Sequence, residues 1–381
     1  MATANSLVKA PYQKTTFSTQ NQLDDFIKCC DPVDGYLYFM DNFFMIQHPT
    51  KGAIHYHPYE YQKRLIDTYH NYRYSISLMP RQTGKTTSAA GYLLWYAMFI
   101  PDSVILIAAH KYTGAQEIMQ RIRYAYEHCP DYIKAGVVTY NKGSLDFENG
   151  SRIVSATTTE TTGRGMSISL LYLDEFAFVR PTIAEQFWTS ITPTLATGGK
   201  AIITSTPNSD EDQFALIWKG ANKTEDSFGN TTDLGVNGFK AYRAYWQEHP
   251  YRDDKWAEEM KAQLGEDRFN REIGCEFIIA DETLINPNTL IMLEGIEPID
   301  RMGQVRWYKK PSKGNIYCVA LDPSLGTGGD PAAIQIFEAN TTTQIGEWKH
   351  NKTDIPNQVK LLASICKYIE ECTSEPTNIY Y

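Results

Sequence analysis

Residues 74–87 read YSISLMPRQTGKTT, and this stretch decides the fold. It begins as a short apolar run that predicts a buried strand and ends where a segment of helical period begins. A glycine-containing loop between a strand and a helix presents backbone N–H groups and the positive helix end, which together hold phosphates. In this pattern Lys85 reaches the β- and γ-phosphates of a nucleotide, and Thr86 holds Mg²⁺. Met79 replaces the usual first glycine, so the loop is a variant of the pattern.

The pattern of apolar residues around this loop predicts an α/β fold. From residue 74 to residue 217, short runs rich in Ile, Val and Leu alternate with longer segments of helical period. Such alternation is typical of a mostly parallel sheet covered by helices. Turn signals near residues 141–143 and 149–150 predict an antiparallel pair at the sheet edge, formed by Leu145–Phe147 and Ile153–Ala156. The main predicted strands are Tyr74–Leu78, Val104–Ala108, Leu170–Asp174 and Ala201–Ser205.

A second motif follows the third of these strands, which ends in two carboxylates, Asp174 and Glu175. Asp174 is placed to bind the water shell of Mg²⁺, and Glu175 to polarise the water that attacks the γ-phosphate. One strand, Val104–Ala108, falls between the phosphate loop and this pair, as in RecA-like additional-strand ATPases that carry a catalytic glutamate. The sequence therefore predicts ATP and Mg²⁺ as cofactors. The alternative for the pair is an acidic turn after a buried strand.

Further residues are candidates for contacts with the nucleotide. Ser205 and Thr206 follow the next strand, at the sheet edge where ligands bind in open α/β folds, and their hydroxyls are candidates to sense the γ-phosphate. Gln62 is a candidate to read adenine with its amide. Arg81, inside the loop, and Arg164, on a glycine-flanked turn, compete for the charge-stabilising role, and we favour Arg81. The predicted nucleotide-binding residues are Gln62, Arg81, Gln82, Thr83, Gly84, Lys85, Thr86, Thr87, Asp174, Ser205 and Thr206, with Glu175 and Arg81 catalytic.

Composition limits the possible partners and compartments. The net charge of −9 argues against a general basic coat for nucleic acid, so any DNA contact must be a local patch. The 7 cysteines form no C-x-x-C pair, which indicates neither a disulfide framework nor a zinc site. The most apolar stretch, residues 92–109, is cut by Pro101 and falls short of the roughly 20 residues that span a bilayer. These features predict a cytoplasmic protein without a membrane partner.

A chain of 381 residues is longer than one typical domain of about 100–200 residues. We predict an N-terminal arm over 1–50 and an ATPase domain over 51–300, with a helical subdomain at about 240–280. A linker over 301–315 and a second α/β domain over 316–381 follow. In that domain we predict the strands Ile316–Leu321, Ala332–Ala339 and Thr343–Trp348, the helix Asn357–Ile369, and a strand that opens at Asn378.

Taken together, three motifs resemble the large terminase subunit of myovirus-type tailed phages: RQTGKT at 81–86, YLDEFAF at 172–178 and STPN at 205–208. The resemblance implies ATP-driven packaging of double-stranded DNA into a procapsid by a homo-oligomeric ring. It implies the portal protein and the small terminase subunit as partners. The implied location of the protein is the host cytoplasm and, transiently, the procapsid. It also implies Gln62 as the adenine-reading glutamine, Arg81 and Lys85 as loop cations, Asp174 and Glu175 as metal-binding and catalytic acids, and Ser205–Pro207 as the coupling motif.

The resemblance further implies a ribonuclease H-like nuclease in the second domain. Residues 319–321 form an apolar run that ends in Asp322, and a Gly-rich turn leads to Asp330. Two-metal cleavage requires several carboxylates around ions about 4 Å apart. Asp322, also the catalytic candidate of this domain, and Asp330 are therefore candidate ligands of a second Mg²⁺ or Mn²⁺ site. Because the family's next acid lies past the fourth strand, we expect this domain to be partial and the chain to hydrolyse ATP without cutting DNA alone. The alternative for Asp322 is an acid that caps a turn.

Two other functions fit parts of the sequence. A glutamine before the first strand, like Gln62, and an acidic pair, like Asp174–Glu175, are also found in superfamily 2 helicases. Nothing after residue 300 resembles the second motor domain of those enzymes. A non-catalytic assembly subunit would bind nucleotide only to organise a portal ring. ATP turnover distinguishes that subunit from a motor.

Overall fold

The structure, a computed structural model, describes residues 7–225, 231–277, 296–328 and 330–381. The chain divides into two compact units, Met1–Thr283 and Leu284–Tyr381. In the described ranges, no helix combines the length and the apolar character needed to cross a membrane.

The first unit is built on an eight-stranded sheet in the order β10-β3-β9-β8-β4-β7-β6-β5. The strands from β10 to β7 pair in parallel, and β6 and β5 are antiparallel additions at one edge. The predicted α/β fold with a mostly parallel sheet is therefore confirmed. The strands are β3 (Tyr74–Leu78), β4 (Val104–Ala109), β5 (Val137–Tyr140), β6 (Ser144–Phe147), β7 (Arg152–Thr157), β8 (Leu170–Asp174), β9 (Lys200–Ser205) and β10 (Lys240–Arg243).

The strand order brings the predicted motifs to one edge of the sheet. The phosphate loop follows β3, the acidic pair ends β8, and Ser205 and Thr206 close β9, which lies between the other two strands. In the register of these strands, Leu78 pairs with Ser205, and Asp174 pairs with Thr204. The carboxyl ends of three adjacent parallel strands thus form one site, as open α/β sheets do.

Helices cover both faces of this sheet. Residues 88–98 of α4 are nearly all buried, so this helix is enclosed on every side rather than on one stripe. The N-terminal segment supplies part of that cover, since Cys29 O accepts a 2.8 Å hydrogen bond from Trp95 Nε1. The helices of the first unit are α1 (Gln20–Cys29), α2 (Gly35–Asn42), α3 (Glu60–Asn71), α4 (Lys85–Phe99), α5 (Tyr112–His128), α6 (Pro181–Leu195), α7 (Gln213–Asn222), α8 (Asp254–Leu264) and α9 (Glu266–Glu272).

The structure adds detail at two predicted boundaries in the first unit. The described residues of the predicted N-terminal arm over 1–50 contribute to the core, because α1 and α2 pack on α4, and the hairpin of β1 (Met45–His48) and β2 (Gly52–His55) crosses residue 50. Near residue 240, the approximate start of the predicted helical subdomain, β10 pairs with β3 and extends the sheet. The helices predicted after residue 253 are present as α8 and α9, and Asp253 caps α8 by accepting a 2.8 Å hydrogen bond from Trp256 N.

The second unit contains a six-stranded sheet in the order β11-β12-β15-β14-β13-β16. The predicted order of strand, strand, strand, helix and strand is confirmed. The predicted linker over 301–315 is wrong, because residues in it form β11 and β12, which pair with each other and with β15. The elements are β11 (Asp300–Met302), β12 (Val305–Trp307), β13 (Tyr317–Asp322), β14 (Ala332–Glu338), β15 (Thr343–His350), α10 (Ile355–Thr373) and β16 (Ile379–Tyr380).

Candidate nucleotide-binding site

The phosphate loop has the local geometry of an anion-binding turn. Thr83 Oγ1 donates a 2.7 Å hydrogen bond to Pro80 O and closes the loop, while Gln82 and Gly84 take φ values of 56° and 80°. Helix α4 begins at Lys85, so the first N–H groups of a 15-residue helix face the loop. A Cβ on Gly84 would lie 2.5 Å from Gln62 Nε2 in addition to the positive φ, which explains the glycine at this position.

Lys85 and the acidic pair converge, as the sequence predicts. Lys85 Nζ lies 2.7 Å from Glu175 Oε1, and only 8% of the lysine side chain is exposed. A buried ammonium at the end of parallel strands is suited to bind an anion such as a phosphate, because the Lys85 charge is poorly screened by water. The two motifs therefore form one site.

Asp174 lies deeper than Glu175 and is held by its neighbours. Its Oδ1 accepts hydrogen bonds from Thr204 Oγ1 at 2.9 Å and from Tyr172 OH at 3.1 Å. Burial raises the pKa of this carboxyl, and the charge of Glu175 adds to the shift, whereas Lys85 opposes it. A divalent cation would offset this buried charge, and carboxylate and hydroxyl oxygens, here those of Asp174 and Thr86, are the donors that Mg²⁺ prefers. These residues therefore fit the predicted metal.

Glu175 has a strained backbone and contacts the third motif. Its φ of 51° places a non-glycine residue in the left-handed region, a conformation that clusters at functional sites. Glu175 Oε2 accepts from Ser205 Oγ at 3.4 Å and from Thr206 N at 3.5 Å. In the described part of the chain, Thr206 Oγ1 is buried without a hydrogen-bond partner. A buried hydroxyl of this kind is available to a ligand.

Gln62 lies beneath the loop. Its Nε2 donates a 2.9 Å hydrogen bond to Thr83 O, and its Oε1 accepts one of 2.9 Å from Tyr59 N. Tyr61 OH donates to the same Thr83 carbonyl at 2.9 Å. Both the nitrogen and the oxygen of the Gln62 amide thus form hydrogen bonds within the protein. To bind adenine, the amide would have to break its hydrogen bond with Thr83 O and form one with the base. The role of Gln62 as an adenine reader stays a prediction.

The two candidate arginines have different surroundings. Arg81 forms an ion pair through Nε with the carboxylate of Glu272, and its backbone N donates to Glu272 O at 3.0 Å. Arg164 is exposed on a turn between Gly163 and Gly165, whose φ values are 80° and 77°. Only Arg81 is part of the loop that follows β3.

The sequence did not reveal several residues that shape this site. Tyr172 and Thr204 hold Asp174, and the signal for them is a polar side chain at a buried strand position beside the acidic pair. Arg252 donates to the carbonyls of Arg81 and Gln82 from 171 and 170 residues further along the chain. No local pattern marks such a distant contact.

Other predicted residues take part in packing of the loop region. Thr87 Oγ1 accepts a 3.3 Å hydrogen bond from Arg121 Nη1 on α5, so this hydroxyl faces the neighbouring helix. In the second unit, Asp322 is exposed at the end of β13 and pairs with Ala333 on β14, and Asp330 precedes that strand. The two acids therefore lie toward the same end of this hairpin. The described ranges contain no group of three or more His, Cys, Asp or Glu side chains placed to hold a metal ion.

Comparison with protein families decides the identity of the chain. The family model of the N-terminal part of the terminase large subunit, T4likevirus type, matches residues 76–290, which is more than half of the chain. The chain belongs to the terminase large subunit family. The match covers the loop, the acidic pair and the Ser205–Thr206 motif, the residues on which the predicted resemblance rests.

Comparison with solved structures finds phage large terminases. The HK97 bacteriophage large terminase matches this terminase subunit with a TM-score of 0.53 at 17% identity, over 81% of this chain and 65% of that one. The large terminase ATPase domain of Thermus phage P74-26 gives a TM-score of 0.48 at 22% identity, over 58% of this chain and 95% of that one. The large terminase of another thermophilic bacteriophage, in complex with ADP, gives 0.46 at 11% identity, over 84% and 76%. The HK97 likeness shows a shared fold.

Proposed function

We propose that this terminase subunit hydrolyses ATP to drive double-stranded viral DNA into a procapsid. The observation that carries the proposal is the 2.7 Å approach of Lys85 Nζ to Glu175 Oε1 at the edge where three strands end. Membership of the terminase large subunit family supports the same function, because the family consists of DNA-packaging ATPases.

The side chains divide the chemistry among them. The N–H groups at the start of α4 and the Lys85 ammonium hold the phosphates. Asp174 and Thr86 would hold Mg²⁺, which supplies charge neutralisation on the β- and γ-oxygens when bound. Glu175 takes the proton of the attacking water as a general base. Arg81 stabilises charge in cis, with Arg164 as the alternative cation.

Ser205 and Thr206 are proposed to couple the chemistry to movement. Ser205 donates to Glu175 Oε2 through its hydroxyl and Thr206 through its backbone N–H. Ser205 ends β9 and Thr206 follows it, and β9 lies between the strands that carry the loop and the acidic pair. Loss of the γ-phosphate would therefore be felt first by these hydroxyl-bearing residues. We further propose a homo-oligomeric ring on the portal protein, with the small terminase subunit as a partner, in the host cytoplasm and at the procapsid.

The second unit is proposed to be a ribonuclease H-like nuclease domain. Its order of elements and the placement of Asp322 and Asp330 toward one end of the β13–β14 hairpin support this proposal. The test is nicking of supercoiled DNA with Mn²⁺ by the wild type and by Asp322→Ala. We expect the wild type not to nick DNA alone. Nicking by the wild type that is lost in Asp322→Ala would overturn that expectation and support Asp322 as a metal ligand, whereas nicking that the variant retains would contradict Asp322 as a ligand.

Glu175→Gln is the test of the ATPase. The amide keeps the shape of the side chain but cannot accept a proton, so we expect kcat to fall about 10²- to 10⁴-fold while nucleotide binding is retained. Steady-state phosphate release and titration with a fluorescent ATP analogue measure the two effects. Glu185→Gln, an exposed acid on α6, is the matched control and should behave as wild type.

Other experimental outcomes would indicate a different function or a different general base. Nucleotide binding without turnover in the wild type would indicate the non-catalytic assembly subunit. Unwinding of duplex DNA, rather than stimulation of the ATPase by portal and double-stranded DNA, would indicate the helicase. Unchanged turnover in Glu175→Gln would refute the assignment of the general base.

A further inference from the structure

The first turn of α4, which begins where the phosphate loop ends, is held from outside by two side-chain hydrogen bonds. Arg121, on α5, donates from Nη1 to Thr87 Oγ1 at 3.3 Å. Tyr56, directly after β2, lies 2.6 Å from Ser88 Oγ through its hydroxyl. Both hydroxyls of this turn therefore face neighbouring elements and do not compete with the backbone, so the first N–H groups of the helix stay available to an anion.

The contact between Arg121 and Thr87 lies at a cavity behind the phosphate loop. Both residues line this cavity, which has a volume of about 150 Å³. Residues 44–46, at the start of the β1–β2 hairpin, and Tyr124 of α5 form further parts of its wall, and Phe44 is buried. The arginine contact thus belongs to a junction of three elements: α4, α5 and the hairpin.

Arg121 differs from the cations of the loop itself in having no acidic partner. Arg81 and Lys85 each form an ion pair with a glutamate. Across the ranges that the structure describes, Arg121 donates to the Thr87 hydroxyl and forms no ion pair. Within the same ranges, Glu117, which lies one turn earlier on α5 and lines the same cavity, forms none either. No carboxylate contact in those ranges neutralises the Arg121 charge.

A cation at this position is unfavourable until an anion binds. The first turn of a helix carries partial positive charge, and Lys85 adds a full charge at the start of α4. Arg121 is repelled by both, because it contacts Thr87, the third residue of that helix. A phosphate held by the first N–H groups attracts all three positive groups. The arrangement therefore costs stability in the nucleotide-free protein and adds affinity for a bound nucleotide.

We propose that Arg121 is a positioning residue of the nucleotide site, whose charge attracts the phosphates and whose hydrogen bond to Thr87 holds the first turn of α4 in place to bind them. The proposal rests on the proposed ATPase function and adds a residue that lies outside the three sequence motifs. Among the described residues, Arg121 forms no hydrogen bond or ion pair with Asp174 or Glu175. Its effect should therefore fall on nucleotide binding rather than on the hydrolytic step.

The experiment compares the whole chain with its Arg121→Gln and Arg121→Lys variants. In Arg121→Gln we expect Kd for fluorescent ATP and ADP analogues to rise about three- to fivefold, because a positive charge near the phosphates is lost. We expect kcat at saturating ATP to change less than about twofold. Tm without nucleotide should be unchanged or higher, because a cation leaves the positive end of a helix. Arg121→Lys keeps the charge and should retain most of the wild-type affinity.

Two further variants serve as controls. Lys223→Gln, at an exposed lysine after α7, carries the same charge change as Arg121→Gln and should match the wild type. Glu117→Gln changes the charge at the same cavity in the opposite direction, and it should bind nucleotide at least as tightly as the wild type. Weaker binding by Glu117→Gln would show that any change at this cavity disturbs the loop, which overturns the electrostatic role.

The outcomes separate this inference from a loss of structure and from a failure of the proposed function. Wild-type affinity in Arg121→Gln overturns the inference. Weak binding together with a lower Tm without nucleotide overturns it as well, because that combination indicates a purely structural contact. Binding by Arg121→Lys that is as weak as that of Arg121→Gln contradicts the role of charge. A wild type that neither binds nor hydrolyses ATP contradicts the proposed function itself, whereas the other failures leave that function intact.

Discussion

Asp174 is the residue at which the demands of stability and chemistry conflict. It is buried, and its side-chain hydrogen bonds in the described residues, from Thr204 and Tyr172, involve one of its two carboxylate oxygens. Its pKa is raised by burial and by Glu175, so the folded state binds its proton more tightly than the unfolded state does. Above the unfolded pKa, ionisation of this carboxyl therefore destabilises the fold.

Asp174→Asn should stabilise the protein at neutral pH and abolish Mg²⁺-dependent hydrolysis. The amide oxygen still accepts from Thr204 and Tyr172, while the buried charge is gone. A gain on the order of 1 kcal/mol corresponds to a rise in Tm of about 2–4 °C. Thermal denaturation without added metal at pH 7 measures the effect, and Asp24→Asn, an exposed acid on α1, is the control. A lower Tm in Asp174→Asn would count against a destabilising charge at this position.

At the residue scale, the sequence predicted the residues that belong to a motif but not the residues elsewhere in the chain that contact the motif. Lys85 and Glu175 are separated by 90 positions, and their approach follows from the rule that parallel strands end at one edge. Gln62 illustrates the limit, because its residue type suggests a base contact while its amide partners depend on packing under the loop. Arg252 and Glu272 meet the loop only because the chain returns to it after β10.

At the scale of elements, a partly buried lysine, Lys200, links the end of α3 to the beginning of β9. Lys200 Nζ donates to His70 O, in the last turn of α3, where a cation also interacts favourably with the helix dipole. Burial lowers the pKa of Lys200 from its ordinary value of 10.5 to about 8. Between pH 8 and 10.5 the unfolded chain therefore holds a proton that the folded chain has lost. The contribution of this lysine to stability thus increases with pH across that window.

Lys200→Met should remove this pH dependence. We expect the free energy of unfolding of the wild type, relative to that of the variant, to rise as the pH increases from 8 to 10.5. Urea denaturation at several pH values in that range measures the difference. Lys142→Met, at an exposed lysine in a turn, should give a profile parallel to wild type. Parallel profiles for Lys200→Met as well would show that Lys200 is charged in the folded protein throughout the window.

The main strands of the first unit were predicted within a residue or two, whereas the helix predicted at Asn357–Ile369 spans Ile355–Thr373 and the short strands β5, β10, β11 and β12 were not predicted. The strands β3 and β8 match their predicted limits, because each is a short, mostly apolar segment that is followed directly by a motif. β5 and β10 have 4 residues each, which is too few to show a period. β11 and β12 have 3 residues each and follow Pro298, so their sequence alone suggests a connector. Only their pairing in the structure shows that they are strands.

At the scale of the whole molecule, the two units have separate hydrophobic cores. In the second unit, Trp307 is buried and lies 4.9 Å from Tyr368 on α10, measured between ring centres. The buried cluster around it includes only residues after 304 among those the structure describes, with Met302 packed against it. Separate cores predict that the units unfold in distinguishable steps.

Trp307→Ala should lower the calorimetric transition of the second unit and leave that of the first unit unchanged. Truncation of a buried tryptophan costs about 3–5 kcal/mol, a large part of the stability of a unit this small. ATPase activity at low temperature should stay at the wild-type level, because the proposed site lies in the first unit. Tyr245→Ala, at an exposed aromatic residue of the first unit, serves as the control. One transition that shifts as a whole would contradict independent cores.

The enclosure of α4 limits which parts of the proposed site can move. A helix that is surrounded by side chains on every face has no free direction in which to slide or turn, so we expect its Lys85 end to stay fixed while a nucleotide is bound. In the proposed motor, loss of the γ-phosphate would therefore displace the other parts of the first unit that contact the site, and not α4 itself.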